Sequence, residues 1–331
     1  MSESKAVAII NAIGKCSPIN KLLDMIKIGT GKLYEPIHVR RMAKARAEEI
    51  KLIGNAIADT AQVPMTYDKG AITANTENAD DLAKRAEYRL GYQEIRKQVN
   101  IESVMEKSYL LLENQVQEVD CEMDEDWINR FFNSIEDISN EKMQEIWAKV
   151  LAGEILKPRT FSLRTLSLLK NLTHKEIMLF NKIANYILSC PSDIYNKYTD
   201  YFLPIDALYD NDWFTKTGIV YSDMLVLSDA GLLNCGAGIS ITFEVKKSGQ
   251  EYIYGHGAKI QLKNNTTSNI IVNGISYFLT ESGKELMRII NPSCDDYYSY
   301  LTDVVSWLKS ENNEIEFSII EKTKELKNDE L

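Results

Sequence analysis

The residue types that most often do chemistry are sparse in this chain and form no local catalytic motif. Among its 331 residues there are three histidines, His38, His174 and His256, and none lies in the H-x-x-x-H or H-E-x-x-H spacing that binds zinc from one helix face. A Ser-His-Asp or Cys-His triad would have to be assembled from residues without a local signature. The sequence therefore predicts no enzyme activity, no cofactor and no metal site.

Two groups of carboxylates have structural interpretations. Asp124 and Asp126 precede a strongly helical segment, where the helix dipole favours acidic side chains. Asp206, Asp210 and Asp212 lie in a predicted loop and could approach a divalent cation. That loop lacks the glycine and the closing glutamate of a calcium-binding loop. We therefore predict that neither group binds a metal ion.

A glycine-containing segment, GTGK at 29–32, invites comparison with a phosphate-binding loop. A Walker loop ends in G-K-[ST], has a further glycine upstream and follows a hydrophobic strand. Here Leu33 follows the lysine, and the upstream segment has a helical pattern. The two glycines therefore indicate a turn between helices, and no nucleotide site is predicted.

Composition and charge favour a soluble globular protein of the reducing cytosol. The five cysteines are dispersed and show no C-x-x-C spacing, which indicates neither a disulfide framework nor a zinc ribbon. The formal net charge of -10 argues against general electrostatic binding to nucleic acid. No signal peptide and no long apolar run are evident, so we expect a cytoplasmic protein, with peripheral contact to the inner membrane as an alternative.

The strongest structural pattern lies in residues 124–173, where three short amphipathic helices follow one another. Apolar residues recur there at intervals of three to four, and Asp126 and Ser139 are suited to cap the first two helices. Five residues are expected to hold these helices together: Trp127, Phe131, Trp147, Phe161 and Arg164. Arg164 should pair with a carboxylate such as Glu154, because an unpaired buried charge is costly.

One segment of this core, at 143–173, reads MQEIWAKVLAGEILKPRTFSLRTLSLLKNLT. It resembles the signature of a bacterial group, the domain-of-unknown-function family 2806, and more distantly the alpha-type abortive-infection proteins. GTGKLYEPIHVRRMAKARAEE at 29–49 and RKQVNIESVMEKS at 96–108 also resemble that family, so the resemblance covers roughly the first 185 residues. It implies a prokaryotic cytosolic protein connected with phage defence, and it brings no catalytic residue to this chain.

The order of patterns predicts a mainly α fold: a helical N-terminal part with long antiparallel helices and a central short-helix bundle, then an α+β winged-helix-like module. The expected segments are amphipathic and basic helices at 1–60, a loop or linker at 61–80, a helical bundle at 81–188, the winged-helix-like module at 189–292, and a C-terminal helix with an acidic tail at 293–331. The long helices at 37–60 and 81–118 should form the antiparallel pair.

The winged-helix-like module does not carry the charge that DNA binding requires. Its expected recognition helix, at 222–233, contains Asp223 and Asp229 but no arginine or lysine. Acidic side chains repel the phosphates of DNA. Docking to another protein is therefore the better interpretation of this helix.

The sequence leaves three functions open. We favour a non-enzymatic protein-binding, sensing or scaffold protein that self-associates, in anti-phage defence as the resemblance implies; its expected contact residues for a partner or for phosphates are Arg40, Arg41, Lys44 and Arg46. The first alternative is an effector that perturbs membranes through the amphipathic residues 5–28. The second alternative is a DNA-binding regulator, although nucleic acid is not the expected partner.

Overall fold

The chain divides into two compact units, residues 1–170 and 171–331. The computed structural model describes residues 15–30, 65–68, 71–74, 82–120, 122, 124–190, 201–204, 218–236, 240–290 and 297–321. The division into two units is coarser than the five segments expected from the sequence, and those boundaries stay a prediction.

The first unit is mainly helical in its described part. Its helices are α1 (Pro18–Thr30), α2 (Leu82–Leu112), α3 (Glu125–Ile135), α4 (Glu141–Leu156) and α5 (Leu163–Asn171), the last of which reaches the boundary of the unit. Its strands form two small antiparallel pairs, β1 (Lys15–Cys16) with β4 (Val119–Asp120), and β2 (Met65–Asp68) with β3 (Ala71–Ala74). The β2–β3 pair lies within the segment predicted as a loop or linker.

Side-chain caps begin the central helices of this unit. Asp124 accepts a hydrogen bond from the backbone N–H of Trp127 at 3.0 Å and starts α3. Asn140 accepts one from the N–H of Met143 at 3.1 Å and starts α4. The sequence predicted these caps at Asp126 and Ser139, and both predictions are wrong. The observed caps lie two residues before Asp126 and one residue after Ser139. The capping residue is the one with an extended backbone immediately before the first helical residue. Several adjacent polar residues are of a type that can cap, so the sequence alone does not distinguish them.

Aromatic rings occupy the centre of the first unit. The ring of Phe131 stacks on Trp127 with 5.2 Å between centroids and meets Trp147 edge-on at 5.5 Å. All three rings are buried. Such pairs contribute about 0.5–1.5 kcal/mol each beyond the burial of their surface. The long helix α2 packs along α4 and buries Val104 and Met105 in the same unit.

Helix α1 buries its apolar stripe inside the first unit. Leu22, Met25 and Ile26 are almost fully buried, and α1 packs against α2, α3 and α4. In this fold these side chains face protein. The membrane hypothesis for residues 5–28 therefore depends on residues 5–14, which lie outside the described residues. Within the described ranges, no helix is long and apolar enough to cross a bilayer.

Gly29 is a helix-packing residue. It lies in the last turn of α1, and a Cβ atom at this position would overlap the ring of Phe132 on α3. The prediction that Gly29 forms a turn between helices is therefore wrong. Glycine is needed here because it lets two helices approach closely.

The second unit combines helices with an extended antiparallel sheet. Its described helices are α6 (His174–Ala184), α7 (Tyr221–Asp229), α8 (Glu281–Met287) and α9 (Tyr297–Glu311). Its described strands are β5 (Leu188–Ser189), β6 (Tyr201–Pro204), β7 (Leu233–Asn234), β8 (Ser240–Val245), β9 (Gln250–Tyr254), β10 (Ala258–Asn264), β11 (Ile270–Leu279) and β12 (Ile315–Glu321). The strand order is β12-β10-β9-β5-β6-β11-β7, and β8 also pairs with β11.

Helix α9 closes one part of this sheet. It packs on β10, β11 and β12, and it buries Tyr300, Leu301 and Val304. The hydroxyl of Tyr300 donates a hydrogen bond to the carbonyl oxygen of Tyr186 at 2.6 Å, which satisfies a polar group that has no access to water. The aromatic C-terminal helix expected from the sequence is thus part of the core of this unit.

The prediction of a mainly α protein with a winged-helix-like module is wrong. The second unit contains an eight-stranded antiparallel sheet in its described part, so the protein is mixed α+β. Several strands have only two to four residues, too short to give a clear alternation of apolar and polar residues. The glutamates of β12 also made that strand look like part of an acidic tail, although Ile315 and Phe317 are buried.

We predict that Gly29→Ala lowers the free energy of unfolding by about 1–3 kcal/mol, because the added methyl group must displace the Phe132 ring. Urea unfolding followed by circular dichroism measures this change. Lys27→Ala, at an exposed position of the same helix, is the matched control and should change stability by less than about 0.5 kcal/mol. Adding Phe132→Leu to Gly29→Ala should recover part of the loss. Equal stability of Gly29→Ala and Lys27→Ala would contradict the packing role.

Candidate functional site

The structure brings together four of the five residues expected to hold the central helices. Trp127, Phe131, Trp147 and Phe161 are all buried in the first unit. Arg164 is exposed on α5 and does not join them. The expected pair between Arg164 and Glu154 is therefore wrong, because an exposed guanidinium remains hydrated and needs no buried partner.

The predicted contact residues of the basic helix, Arg40, Arg41, Lys44 and Arg46, lie outside the described residues. The same holds for the predicted helix at 37–60 and for the acidic loop with Asp206, Asp210 and Asp212. Their roles remain predictions.

The signature segment at 143–173 contains a loop between α4 and α5 that is held by one buried carboxylate. Glu154, near the end of α4, accepts hydrogen bonds from three successive backbone N–H groups, those of Arg159 at 2.6 Å, Thr160 at 3.0 Å and Phe161 at 3.0 Å. Arg159 has a left-handed backbone with φ of 65°, and such a turn lets neighbouring N–H groups converge on an anion. Burial raises the pKa of the Glu154 carboxyl above its ordinary value, and the three amides oppose this shift.

The same loop fixes α3 against α4. The carbonyl oxygen of Phe161 accepts a hydrogen bond from the indole Nε1 of Trp127 at 2.7 Å. The Phe161 ring packs on Gly153, where a Cβ atom would come within 2.9 Å of its Cε2. Glu154, Phe161 and Trp127 thus form a continuous connection from one helix to the next. These contacts make the segment part of the packing of the first unit.

A cleft of about 520 Å³ lies beside this loop. Its charged lining residues are Lys21, Glu122, Asp124, Glu125, Asp126, Glu154 and Arg159. Several of these groups have structural partners: Asp124 caps α3, and the Nζ of Lys21 donates to the carbonyl oxygen of Asp120 at 2.6 Å. Arg159 pairs with Glu122 at 2.9 Å on the surface. Among the described residues, no group of three or more His, Cys, Asp or Glu side chains is arranged to hold a metal ion.

The two histidines of the described part lie at different secondary-structure elements. His174 begins α6, and His256 lies in the turn between β9 and β10. The backbone N–H of His256 donates to the hydroxyl of Tyr297 at 2.6 Å.

In the second unit, the outer side of α7 is a candidate interaction surface, which we call the α7 face. It consists of Tyr221 (50% exposed), Leu225 (42%) and Val226 (42%) on the helix, together with Val220 (52%), the residue immediately before the helix. The opposite side of the helix is also apolar, and there Met224 and Leu227 are buried. Helix α7 packs against α6 and β7 through that inner side.

Local sequence explains why α7 forms as it does. The carboxylate of Asp223 accepts a hydrogen bond from the N–H of Val220 at 2.9 Å and so stabilises the first turn. At the other end, Gly231 adopts φ of 75°, and the N–H of Leu232 donates to the carbonyl oxygen of Leu227 at 2.9 Å. These are the bonds of a glycine-terminated helix. The sequence located this helix, but the fold alone showed which of its apolar residues face solvent.

We predict that Glu154→Gln lowers the free energy of unfolding by about 3 kcal/mol, because an amide cannot accept at both positions and leaves buried N–H groups unpaired. Urea unfolding at pH 7.5 measures the loss. Glu122→Gln, which removes the surface partner of Arg159, is the matched control and should change stability by less than about 1 kcal/mol. Similar effects of the two substitutions would show that the Glu154 carboxylate does not hold the loop.

Comparison with known proteins gives one family and no closer relative. The model of a family described as protein of unknown function (DUF2806) matches residues 84–302. No curated protein and no solved structure matches the chain. The match extends well beyond the first 185 residues expected from the sequence and leaves out the segment 29–49, while the more distant link to abortive-infection proteins is not confirmed. Because the match covers both the Glu154 loop and the α7 face, and most of the chain, this protein belongs to the DUF2806 family.

Proposed function

We propose that this chain is a non-enzymatic protein-binding protein, acting as a sensor or scaffold, and that the α7 face is its contact surface. The observation that carries the proposal is the exposure of three large apolar residues on two turns of α7 and of Val220 immediately before it. Single exposed apolar residues are common on soluble proteins, whereas a contiguous group of them marks interaction surfaces.

The position of these residues on the helix supports a continuous surface. Tyr221 and Leu225 are four residues apart and lie on the same side of α7, and Val226 lies beside them. Ser222 and Asp229 are exposed on the same half of the helix. An apolar strip with polar residues at its margin is the arrangement of a protein-binding surface, in which a dry centre is surrounded by a polar rim.

The charges of α7 favour protein over DNA as the partner. The helix contains Asp223 and Asp229 and no lysine or arginine. A helix that entered the major groove would bring these carboxylates near phosphates, and no cation on the helix would compensate for them. The membrane alternative has less support from the structure than from the sequence, because the apolar stripe of α1 is buried in the first unit.

The biological setting that we propose is bacterial anti-phage defence. This part of the proposal rests on the resemblance of residues 143–173 to abortive-infection proteins. Self-association is proposed on the same footing, as a property of a scaffold protein. The contact surface itself rests on the exposed residues of α7.

We predict that the double substitution Leu225→Gln and Val226→Gln abolishes partner capture while leaving the fold intact. Both side chains are well exposed, so each change should alter stability by less than about 0.5 kcal/mol. The measurement is quantitative affinity purification of the tagged full chain from its native host, with and without phage infection, followed by mass spectrometry.

The matched control is Tyr298→Gln, which removes an equally exposed apolar residue from α9. Proteins that co-purify with the wild type and with Tyr298→Gln but not with the α7 double variant would support the proposal. Identical sets of co-purifying proteins for all three chains would refute it. Circular dichroism of each variant establishes that a loss of binding does not reflect unfolding.

A further inference from the structure

We infer that the partner of the α7 face is an amphipathic helix of another protein, with a lysine or arginine at the end of its apolar stripe that meets Asp229. This inference rests on the proposed protein-binding function and specifies the chemistry of the partner. It follows from the shape of the apolar strip, from the charges at its two ends and from its area.

The apolar strip has the dimensions of one helix contact. Helix α7 has nine residues, which corresponds to a length of about 13 Å. Tyr221 and Leu225 form a ridge along the helix, with Val226 beside it. A partner helix that presents apolar residues at i, i+3, i+4 and i+7 covers two turns and matches a strip of this length.

The carboxyl-terminal end of α7 attracts a cation. Asp229 is exposed in the last turn, and the helix dipole places additional partial negative charge at the same end. The sequence from Gly218 to Gly236 contains no lysine, arginine or histidine that would offset this charge. Asp223 is less available, because its carboxylate is bound to the N–H of Val220.

The opposite end of the face carries a positive charge. Lys182 on α6 is exposed, and its Nζ donates to the carbonyl oxygen of Gly218 at 3.1 Å, just before α7 begins. A basic partner residue is therefore attracted to the Asp229 end and repelled at the Lys182 end. An acidic partner residue has the reverse preference. These two charges specify the orientation of the partner helix on α7 as well as its charge.

The area of the face argues against a stable pair of identical chains. Four side chains that are about half exposed offer an apolar area on the order of 300 Å². A standard stable interface buries about 800 Å² on each partner. Antiparallel contact between two copies of α7 would also bring Asp229 near Lys182 of the second copy, but this area is too small to sustain a dimer. A reversible contact with a single helix suits it better.

The test uses two synthetic helical peptides with the same leucine stripe. The first peptide carries two lysines at one end of its apolar stripe, and the second has two glutamines at the same positions. Both carry amide and acetyl ends and a fluorophore on the polar side. Fluorescence anisotropy with the full chain gives the two dissociation constants at low and at high salt.

In either orientation on α7, the lysines of the first peptide can lie near Asp229, whereas the second peptide offers no charge there. We predict that the first peptide binds about three- to tenfold more tightly than the second, with a difference that decreases at high salt. Asp229→Lys should remove or invert that preference without loss of folding, because lysine is favourable in a last helical turn. Leu225→Gln with Val226→Gln should weaken both peptides at least tenfold, and Tyr298→Gln should leave both dissociation constants unchanged.

Three outcomes would overturn the inference: equal binding of the two peptides, no binding of either at millimolar concentration, or a dimeric mass by light scattering that Asp229→Lys abolishes. The last outcome would identify a second copy of this chain as the occupant. Failure of the inference can be separated from failure of the proposed function. If Asp229→Lys still captures the cellular partners that the α7 double variant loses, protein binding stands and only the charge of the partner is wrong.

Discussion

The first unit depends on one carboxylate that is surrounded by backbone N–H groups. Glu154 binds the amides of three successive residues, and the last of these, Phe161, binds the indole of Trp127 through its carbonyl oxygen. The loop after α4 therefore cannot move without disturbing the packing of α3. A buried ion is costly, and the convergence of N–H donors makes it tolerable at this position. The signature of the family thus contains an element that specifies how two helices meet.

The second unit is stabilised differently from the first, since its sheet includes several very short strands. A strand of two residues makes few hydrogen bonds of its own, and it is held in place by its neighbours and by the helices that cover it. Helix α9 covers the longer strands β10, β11 and β12 and buries Tyr300, Leu301 and Val304. The bond from the Tyr300 hydroxyl to the carbonyl oxygen of Tyr186 links this helix to a segment that is distant in sequence. Stability of this unit therefore depends on tertiary contacts more than on local propensity.

Helix α7 has large apolar residues on both sides, and three of those on its outer side are exposed. Its inner side contributes Met224 and Leu227 to the core, and its outer side leaves Tyr221 and Leu225 in water. Core packing explains the first pair and gives no reason for the second. Exposed apolar residues tend to promote aggregation, so a contact surface is the interpretation that accounts for them. The acidic end at Asp229 then gives that surface a direction, which apolar contact alone does not provide.

The sequence by itself determined the local features of this protein. The helical periodicity of 124–173 follows from side-chain spacing, and the structure confirms three short helices there. Family membership also followed from residues 143–173, because that segment has a specific pattern. These features are encoded by neighbouring residues, so they can be read without knowledge of the fold.

Only the tertiary structure decided which residues meet across the chain. Glu154 looked like a partner for Arg164, and the fold gives it backbone amides while Arg164 faces water. The full extent of the sheet was missed, because the pairing of the short strands β5, β6 and β7 depends on partners far away in sequence. The exposed side of α7 was equally hidden, since a helix with apolar residues on both sides gives no sign of which side is covered. Burial is a property of the assembled fold, and local pattern cannot determine it where apolar residues occur on every side.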